Sequence, residues 1–299
     1  MNEPIRHHFI PQFILRNFCF NNRGENRGEV RYYCKKTNVE SVANTRDVFM
    51  ERNLYRDEIN SPNDPTKIEH DFAEFEREVS LIVKSKLLSK DKIILNMEED
   101  NKLRLFFALM GFRSERVRTN FETGLCKNSK DFYSRYQSDG NFLDFWKRNL
   151  GNAVTCRSIQ EVIDHPEIDE PIKVFLIRDT FGYLGRYFVV AERCESKDFI
   201  IGDTYPVVVS GTLPNGFPLE LYSIFPLSPE RILMMVCRGA EGTPREVLGF
   251  RQTVLTMPKM NDDGTYTIRK RKFYDEEVEY INEMIFKEAQ VGVVFKNSF

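Results

Sequence analysis

The sequence lacks the long apolar run that a membrane-spanning helix requires. No window reaches about 18 apolar residues, and Glu3, Pro4 and Arg6 interrupt the apolar segment that a secretory signal would need. Six cysteines are present, but none form a CxxC pair and none lie at zinc-finger spacing from a histidine. These absences predict a cytoplasmic protein that is not bound to a membrane and whose thiols are free and reduced.

Several widespread catalytic motifs are also missing. The sequence contains no GxxxxGK[ST], GxGxxG, HExxH or GxSxG motif. This argues against a P-loop ATPase, a Rossmann dehydrogenase, a zincin protease and an α/β-hydrolase. The net charge of -2 gives no global attraction to nucleic acid or to a membrane, so any site for a polyanion must be a local patch.

The chain does have a clear order of elements, with helices first and strands afterwards. Apolar residues recur at helical spacing in the first half over residues 65–88, 97–121, 129–137, 141–150 and 157–164. Short runs rich in β-branched and aromatic residues predict strands at 184–191, 199–201, 207–210, 222–225, 232–237, 254–257, 265–268 and 291–295. A final helix is predicted over 274–289.

This segregation predicts the α+β class, with a helical N-terminal half packed against a mixed or antiparallel β-sheet in the C-terminal half. Residues 1–170 would form a mainly helical region that also carries an N-terminal His-His segment and a small hairpin. Residues 171–299 would form a β-rich region with a C-terminal helix. We expect the two regions to form one integrated domain.

The N-terminal segment holds two of the four histidines. His7 and His8 precede Pro11, a residue well suited to a helix start, and a dense apolar run follows to Phe18. Neighbouring side chains of an extended segment point to opposite sides, so one histidine could face a pocket while the other packs. Histidine serves as a general base and as a metal ligand near neutral pH. The alternative is that the pair bonds backbone carbonyls and anchors the segment.

Two acids on the first long helix are candidate metal ligands. Glu69 and Glu76 lie seven residues apart and therefore return to a similar helix face. Their carboxylates would suit Mg²⁺ or Mn²⁺, which prefer oxygen ligands. The alternative is a solvated helix face, because charged runs on helices usually contact water.

Basic residues follow the second long helix and are candidates for binding phosphate. Arg113 and Arg116 lie three residues apart and share a face. Guanidinium groups bind phosphate oxygens in a forked geometry, and we add Gln12 as a further candidate for substrate binding. The alternative for the arginines is pairing with the acidic helix.

Asp203 is the candidate acid of the second half. It comes directly after an apolar strand and before a turn that contains Pro206. Strand ends are places where scaffolds present catalytic carboxylates. The alternative is an Asx turn that caps its own loop.

Four stretches of the chain resemble one family, known as DUF4238, a domain of unknown function. The segment from His7 to Phe18 (HHFIPQFILRNF) resembles the HHxxPQFxLRxF signature that opens the family, and Ile68 to Glu76 is similar to its IE…FA…E helix. Residues 199–207 (FIIGDTYPV) are similar to its FxxSDxPV turn, with Gly202 in place of serine and one extra residue before the proline, and residues 226–229 match its PLSP step. The resemblance implies an uncharacterised bacterial protein, for which a role in phage defence or toxicity is an expectation.

Together these residues lead to one main hypothesis and two alternatives. The main hypothesis is a metal-dependent nuclease or phosphodiesterase-like effector acting on nucleic acid or a nucleotide. His7, His8 and Asp203 would be catalytic, Glu69, Glu76 and Asp203 would hold Mg²⁺ or Mn²⁺, and Gln12, Arg113 and Arg116 would bind phosphate. The first alternative is a non-enzymatic sensor or protein-interaction module with the same residues in a polar network. The second is a structural network without a ligand.

Overall fold

A computed structural model of the chain describes residues 6–22, 28–115, 117–118, 142–181, 185–212, 216, 218–255 and 257–297. Within this part, the α-helices are Gln12–Leu15, Lys67–Ile82, Met97–Phe112, Phe142–Ala153, Ile159–Asp164, Glu170–Phe181, Arg245–Leu248 and Asp275–Glu288. The fold class is α+β, as predicted, with helices dominating 67–181 and strands dominating 186–237. None of the helices in the described ranges is long and apolar enough to cross a membrane.

The chain folds into two compact units. The first unit comprises the described residues within Met1–Phe9, Met50–Val79 and Asp100–Thr180. The second comprises those within Ile10–Phe49, Ser80–Glu99 and Phe181–Phe299. Each unit is therefore made of segments that are distant in sequence.

The first unit is built from helical segments and one small two-stranded sheet. Strand Arg6–His8 pairs with strand Met50–Arg52 in antiparallel register. The helix that begins at Lys67 buries Ile68, Phe72 and Phe75, whose spacing repeats with the helical period. Every residue from Leu103 to Phe112 is buried, so Met97–Phe112 is a central and largely apolar helix.

The described residues of the second unit form three sheets. The largest orders its strands as Arg271–Phe273, Arg186–Arg193, Arg231–Cys237, Pro218–Ser228 and Val207–Thr212. The next joins Asn21–Asn22, Gly28–Cys34, Gly292–Phe295 and Ile201–Gly202, with Val39–Asn44 pairing Gly28–Cys34 as well. The third joins Lys259–Met260, Tyr266–Arg269 and Lys92–Leu95. All strand pairs are antiparallel except Arg271–Phe273 with Arg186–Arg193, so the sheets are mixed or antiparallel, as predicted.

The last helix packs its predicted apolar face into the core of the second unit. Val278, Ile281, Ile285 and Ala289 are all buried there, together with strand residues such as Val293. The spacing of three, four and four residues places these side chains on one stripe. The final helix predicted over 274–289 is confirmed.

Two local predictions differ from the structure, and one helix was not predicted. The helix predicted over 97–121 is continuous over Met97–Phe112, is interrupted at residues 113–114 and is helical again at residues 115, 117 and 118. Residues 116 and 119–121, and the predicted helix 129–137, lie outside the described residues. The predicted strand 254–257 is wrong, because Gln252–Val254 forms a 3₁₀ turn and the hairpin partner of Tyr266 is Met260. Pro258, which has no backbone N–H, separates the predicted strand from the real one. The sequence analysis also assigned no element to Glu170–Phe181, which is helical.

Lys35 caps the end of the last helix. Its Nζ donates to the carbonyl oxygens of Phe286 at 2.8 Å and Ala289 at 2.7 Å, and it lies over the Phe286 ring. The last carbonyls of a helix lack partners within the helix and carry partial negative charge. A cation at this position therefore satisfies them.

We expect Lys35→Met to lower the free energy of unfolding by about 1–2 kcal/mol, since it removes charged hydrogen bonds at a helix C-terminus. Urea unfolding followed by circular dichroism measures this. The matched control is Lys36→Met, because Lys36 is exposed. Equal stability of the two variants would contradict the capping role.

Candidate functional site

The two N-terminal histidines lie on the strand Arg6–His8. His7 is opposite Glu51 in the antiparallel pair, and His8 is opposite Met50. His7 is fully buried and His8 is half-buried, as the alternation of a strand requires. The predicted extended geometry of the histidine pair is confirmed.

Tyr55 fixes both histidines in the first unit. Its backbone N–H donates to Nδ1 of His7 at 2.7 Å, and its ring stacks on the imidazole with centroids 5.3 Å apart. Its hydroxyl donates to the carbonyl oxygen of His8 at 3.5 Å. Because Nδ1 is an acceptor, a neutral His7 carries its proton on Nε2. Burial raises the pKa of Tyr55, so its hydroxyl remains protonated.

Glu69, Glu76 and Arg113 come together in the same unit, and we call them the glutamate–arginine cluster. Nη1 of Arg113 donates to Oε1 of Glu76 at 3.0 Å, and its guanidinium lies over the Phe72 ring at 4.5 Å. Glu69 lies on the same helix face as Glu76, and each carboxyl interacts electrostatically with Arg113. The structure therefore brings together three of the residues that the sequence analysis selected.

Arg113 leaves one edge of its guanidinium without a hydrogen-bond partner. Its side chain is only 1% exposed, yet Nε and Nη2 have no partner within the described part of the chain. The Nε–Nη2 edge is the fork that binds two oxygens of a carboxylate or phosphate group. A buried donor without a partner costs about 1–3 kcal/mol, so this open fork requires an explanation.

The cluster shifts the protonation of both acids. Burial raises the pKa of Glu69 from 4.5 to about 7, the neighbouring Glu76 adds to the shift, and Arg113 opposes it. Burial also raises the pKa of Glu76, against the effect of its bond to Arg113. A carboxyl group that titrates near neutral pH can accept and return a proton under physiological conditions.

Arg118 and Glu51 form a second ion pair in the first unit. Arg118 donates from both terminal nitrogens to the two carboxylate oxygens of Glu51, at 3.0 and 2.7 Å. Glu51 is 44% exposed and Glu76 is 21% exposed, compared with 1% for Arg113. Within the cluster, Glu76 is therefore more exposed than Arg113.

The first unit also contains a cleft of about 550 Å³. Its charged lining residues are Asp57, Lys67, Lys147, Arg148, Glu167 and Asp169. None of the sequence-predicted site residues lines it. Among its cations, Arg148 pairs with Asp169 at 2.6 Å and Lys147 donates to the backbone carbonyl of Arg56 at 2.5 Å.

Asp203 belongs to the second unit, where it organises a loop. Its carboxylate accepts the backbone N–H groups of Gln290 at 2.9 Å, Val291 at 2.9 Å and Gly292 at 3.4 Å. These partners lie 87 to 89 residues along the chain, so the carboxylate does not cap an Asx turn of its own loop. Burial raises the pKa of Asp203 and the three N–H groups oppose this. Its catalytic or metal-binding role stays a prediction.

The other two predicted phosphate ligands add little to the site. Gln12, in the second unit, donates from Nε2 to the carbonyl oxygen of Thr45 at 2.6 Å, while its buried Oε1 has no partner among the described residues. Arg116 lies outside the described residues. Their predicted roles stay predictions.

No candidate metal centre is apparent in the described part of the chain. There, no group of three or more His, Cys, Asp or Glu side chains is placed to hold an ion. Glu69 and Glu76 supply two carboxylates, and Arg113 adds a positive charge beside them that repels a cation.

A family model described as "Protein of unknown function (DUF4238)" matches residues 6–299, almost the whole length of the chain. The chain belongs to the DUF4238 family. The family resemblance stated from the sequence is thereby confirmed, and the family's description assigns no activity. Comparisons with curated proteins and with solved structures gave no significant match.

The sequence analysis of this DUF4238 chain missed Tyr55. That residue contacts His7, His8 and, through its tilted ring pair, Phe72 of the acidic helix. A tyrosine between a short strand and a loop belongs to no periodic pattern, so the sequence offered no signal for it. The pairing of Arg6–His8 with Met50–Arg52 was also missed, because it joins segments more than 40 residues apart.

Proposed function

We propose that this chain is a hydrolase acting on phosphodiesters, with the glutamate–arginine cluster as its working site. One observation carries the proposal: the buried open fork of Arg113 lies beside a carboxyl group whose pKa is about 7. An acid whose pKa is strongly shifted by burial, beside a specific charge partner, is a candidate for a functional site. A phosphate group is the natural ligand of a guanidinium fork.

In this proposal each residue of the site has a separate role. Arg113 binds two oxygens of the phosphate, and Glu76 holds the guanidinium in place through Nη1. Ionised Glu69 takes a proton from the attacking hydroxyl or water, which its pKa allows at neutral pH. His7 has Nδ1 occupied by Tyr55, so only Nε2 could pass a proton to a leaving group.

Mg²⁺ or Mn²⁺ enters the proposal as a possible partner of Glu69 and Glu76. Both carboxylates offer the oxygen ligands that these ions prefer. The ion would compete with Arg113 for Glu76. Activity assays therefore compare added Mg²⁺, added Mn²⁺ and a chelator.

The biological role that we propose follows from the family resemblance. A phosphodiesterase acting on nucleic acid or a nucleotide would fit an effector of phage defence or toxicity in bacteria. Cytoplasmic substrates would suit such a role. Growth arrest on expression of the wild type, and normal growth with Glu69→Gln, supports this role.

We expect Glu69→Gln to reduce the hydrolysis of bis(4-nitrophenyl) phosphate by about 10²–10⁴-fold, the usual contribution of a general base. The assay covers about pH 5 to 9, and the rate of the wild type should rise through the pKa of Glu69. The matched control is Glu74→Gln, an exposed acid on the same helix. Absence of wild-type hydrolysis in every metal and pH condition would falsify the proposed activity.

A second candidate function is a non-enzymatic sensor or protein-interaction module. The observation that favours it is the low exposure of Arg113, which suits a structural polar network. Asp203, with its carboxylate fully engaged by backbone N–H groups, would belong to a second such network. Binding of a ligand or partner without turnover, together with equal inactivity of wild type and Glu69→Gln, supports this candidate.

A further inference from the structure

We propose that two copies of this chain form a dimer through antiparallel pairing of the strand Val39–Asn44 with the same strand of a partner subunit. In the second unit this strand lies at the edge of its sheet, because Gly28–Cys34 is its only strand partner among the described residues. Val39 and Val42 are 53% and 59% exposed. This surface is distinct from the glutamate–arginine cluster, which belongs to the first unit.

Alternate residues of this strand direct their main-chain groups away from the sheet. The N–H of Thr45, the residue that follows the strand, donates to the carbonyl oxygen of Gly28 at 3.0 Å. Hydrogen-bonded pairs alternate with non-hydrogen-bonded pairs along an antiparallel ladder, so the odd-numbered residues of the strand bond to its neighbour in the sheet. The residues whose main-chain groups point outward are Glu40, Val42 and Asn44.

The edge carries none of the features that usually prevent the addition of another strand. Residues 39–44 read VESVAN and contain no proline and no lysine. Their register against Gly28–Cys34 is unbroken, so there is no bulge. Proteins usually protect an open edge with such features, because a bare row of N–H and C=O groups pairs readily with another chain. This edge therefore favours a partner that supplies a strand.

The strand is complementary to itself about a two-fold axis at Val42. In this register Val42 lies opposite the partner's Val42, and each N–H donates to the other's carbonyl oxygen. Glu40 lies opposite the partner's Asn44, whose carbonyl oxygen accepts the N–H of Asp47 at 2.9 Å and has a second lone pair for Glu40. All outward N–H groups of both strands thus find acceptors, and the two exposed valines cover each other.

The two ends of the strand carry opposite charges. Glu40 lies near its first end, and the exposed Arg46 follows its last residue. Antiparallel pairing brings the acidic end of each strand to the basic end of the other, twice by symmetry. Within its own subunit Glu40 bonds Arg31 through Oε1 at 3.1 Å, and both side chains stay about half exposed. A carboxylate accepts at both oxygens, so Glu40 can bind the partner's Arg46 as well.

Sedimentation velocity of the full chain tests the dimer. A single strand pair is a small interface, so we expect weak association, with the sedimentation coefficient rising from the monomer value towards the dimer value between about 1 and about 500 μM. Val42→Lys places two like charges at the axis and should weaken the dimer at least about 10-fold. The control is Val247→Lys, at an exposed valine elsewhere in the second unit. A wild type that stays monomeric, or two variants that dimerise equally, overturns the inference.

Cross-linking tests the register. Hydrogen-bonded pairs have Cα atoms about 5.5 Å apart, a distance that a disulfide spans, so mild oxidation of Val42→Cys should give a covalent dimer. Ser41→Cys should give less, because Ser41 lies opposite the partner's Ala43 and not opposite itself. The wild type gives the background from the six native cysteines. More cross-linking through Ser41→Cys than through Val42→Cys contradicts the proposed pairing.

Discussion

Replacing Asp203 with alanine is expected to lower the free energy of unfolding by about 3–5 kcal/mol. The carboxylate accepts backbone N–H groups from Gln290, Val291 and Gly292, and the residue is 5% exposed. Alanine would leave these donors without a partner, and each buried donor in that state costs about 1–3 kcal/mol. Urea unfolding at neutral pH measures the loss.

Two further variants make this prediction specific. Asp203→Asn keeps an acceptor oxygen but loses the charge, so its stability should lie between those of the wild type and the alanine variant. Asp262→Ala is the control, because Asp262 is exposed on a hairpin loop. A loss below about 1 kcal/mol for Asp203→Ala contradicts the structural role. A folded Asp203→Asn protein without activity would instead support the predicted catalytic role.

The second large effect is expected for Arg113→Met, which should cost about 3–5 kcal/mol at about pH 8. The variant leaves the partly buried carboxyls of Glu69 and Glu76 without their cation. At about pH 5 the loss should be smaller, because Glu69, whose pKa is raised to about 7, is largely protonated in the folded protein. The expected result is therefore a stability difference that grows with pH.

The direction of the pKa shift of Glu69 supports this expectation. Its pKa is raised from 4.5 to about 7 in the folded protein, so between these values the folded state binds more protons than the unfolded state. The contribution of Glu69 to stability is thus full below pH 4.5 and is lost as the pH rises through about 7. The loss amounts to at most about 3.4 kcal/mol, at about 1.36 kcal/mol for each pKa unit.

Urea unfolding at the two pH values tests the Arg113→Met prediction. Combining Arg113→Met with Glu76→Gln should recover part of the loss, because the second change removes a charge that has become unpaired. Arg148→Met is the control, since its ion pair with Asp169 is more exposed and should contribute about 1 kcal/mol or less. If Arg113→Met lost the same free energy of unfolding at both pH values, the charge of Arg113 would not interact with those of the two glutamates.

The local elements of this fold could be predicted from the sequence because their signals are periodic. The helix Lys67–Ile82 shows apolar residues at helical spacing from Ile68 to Val79. The same helical period predicts that Glu69 and Glu76 lie on one face. Arg113 was selected because it follows the central apolar helix. The sequence pattern also located most strands of the second half. Their predicted ends lie within four residues of the observed ends.

Contacts between distant segments could not be predicted in the same way. The partners of Asp203 lie 87 to 89 residues away, and no local pattern connects them. Arg113 has an open edge because only its Nη1 donates to Glu76. Three-dimensional packing decides which nitrogen makes this bond. The residue types of the site were thus available from the sequence, whereas its geometry was not.

The central claim is that the open fork of Arg113 binds a phosphate group. The most direct measurement is the NMR signal of the Arg113 Nε–H during titration with dimethyl phosphate, with the signal assigned from Arg113→Lys. We predict a saturable downfield shift for Arg113 and no shift for Arg104, whose Nε already donates to Asp100 at 2.6 Å. An Arg113 signal that stays unchanged at saturating dimethyl phosphate would contradict the claim.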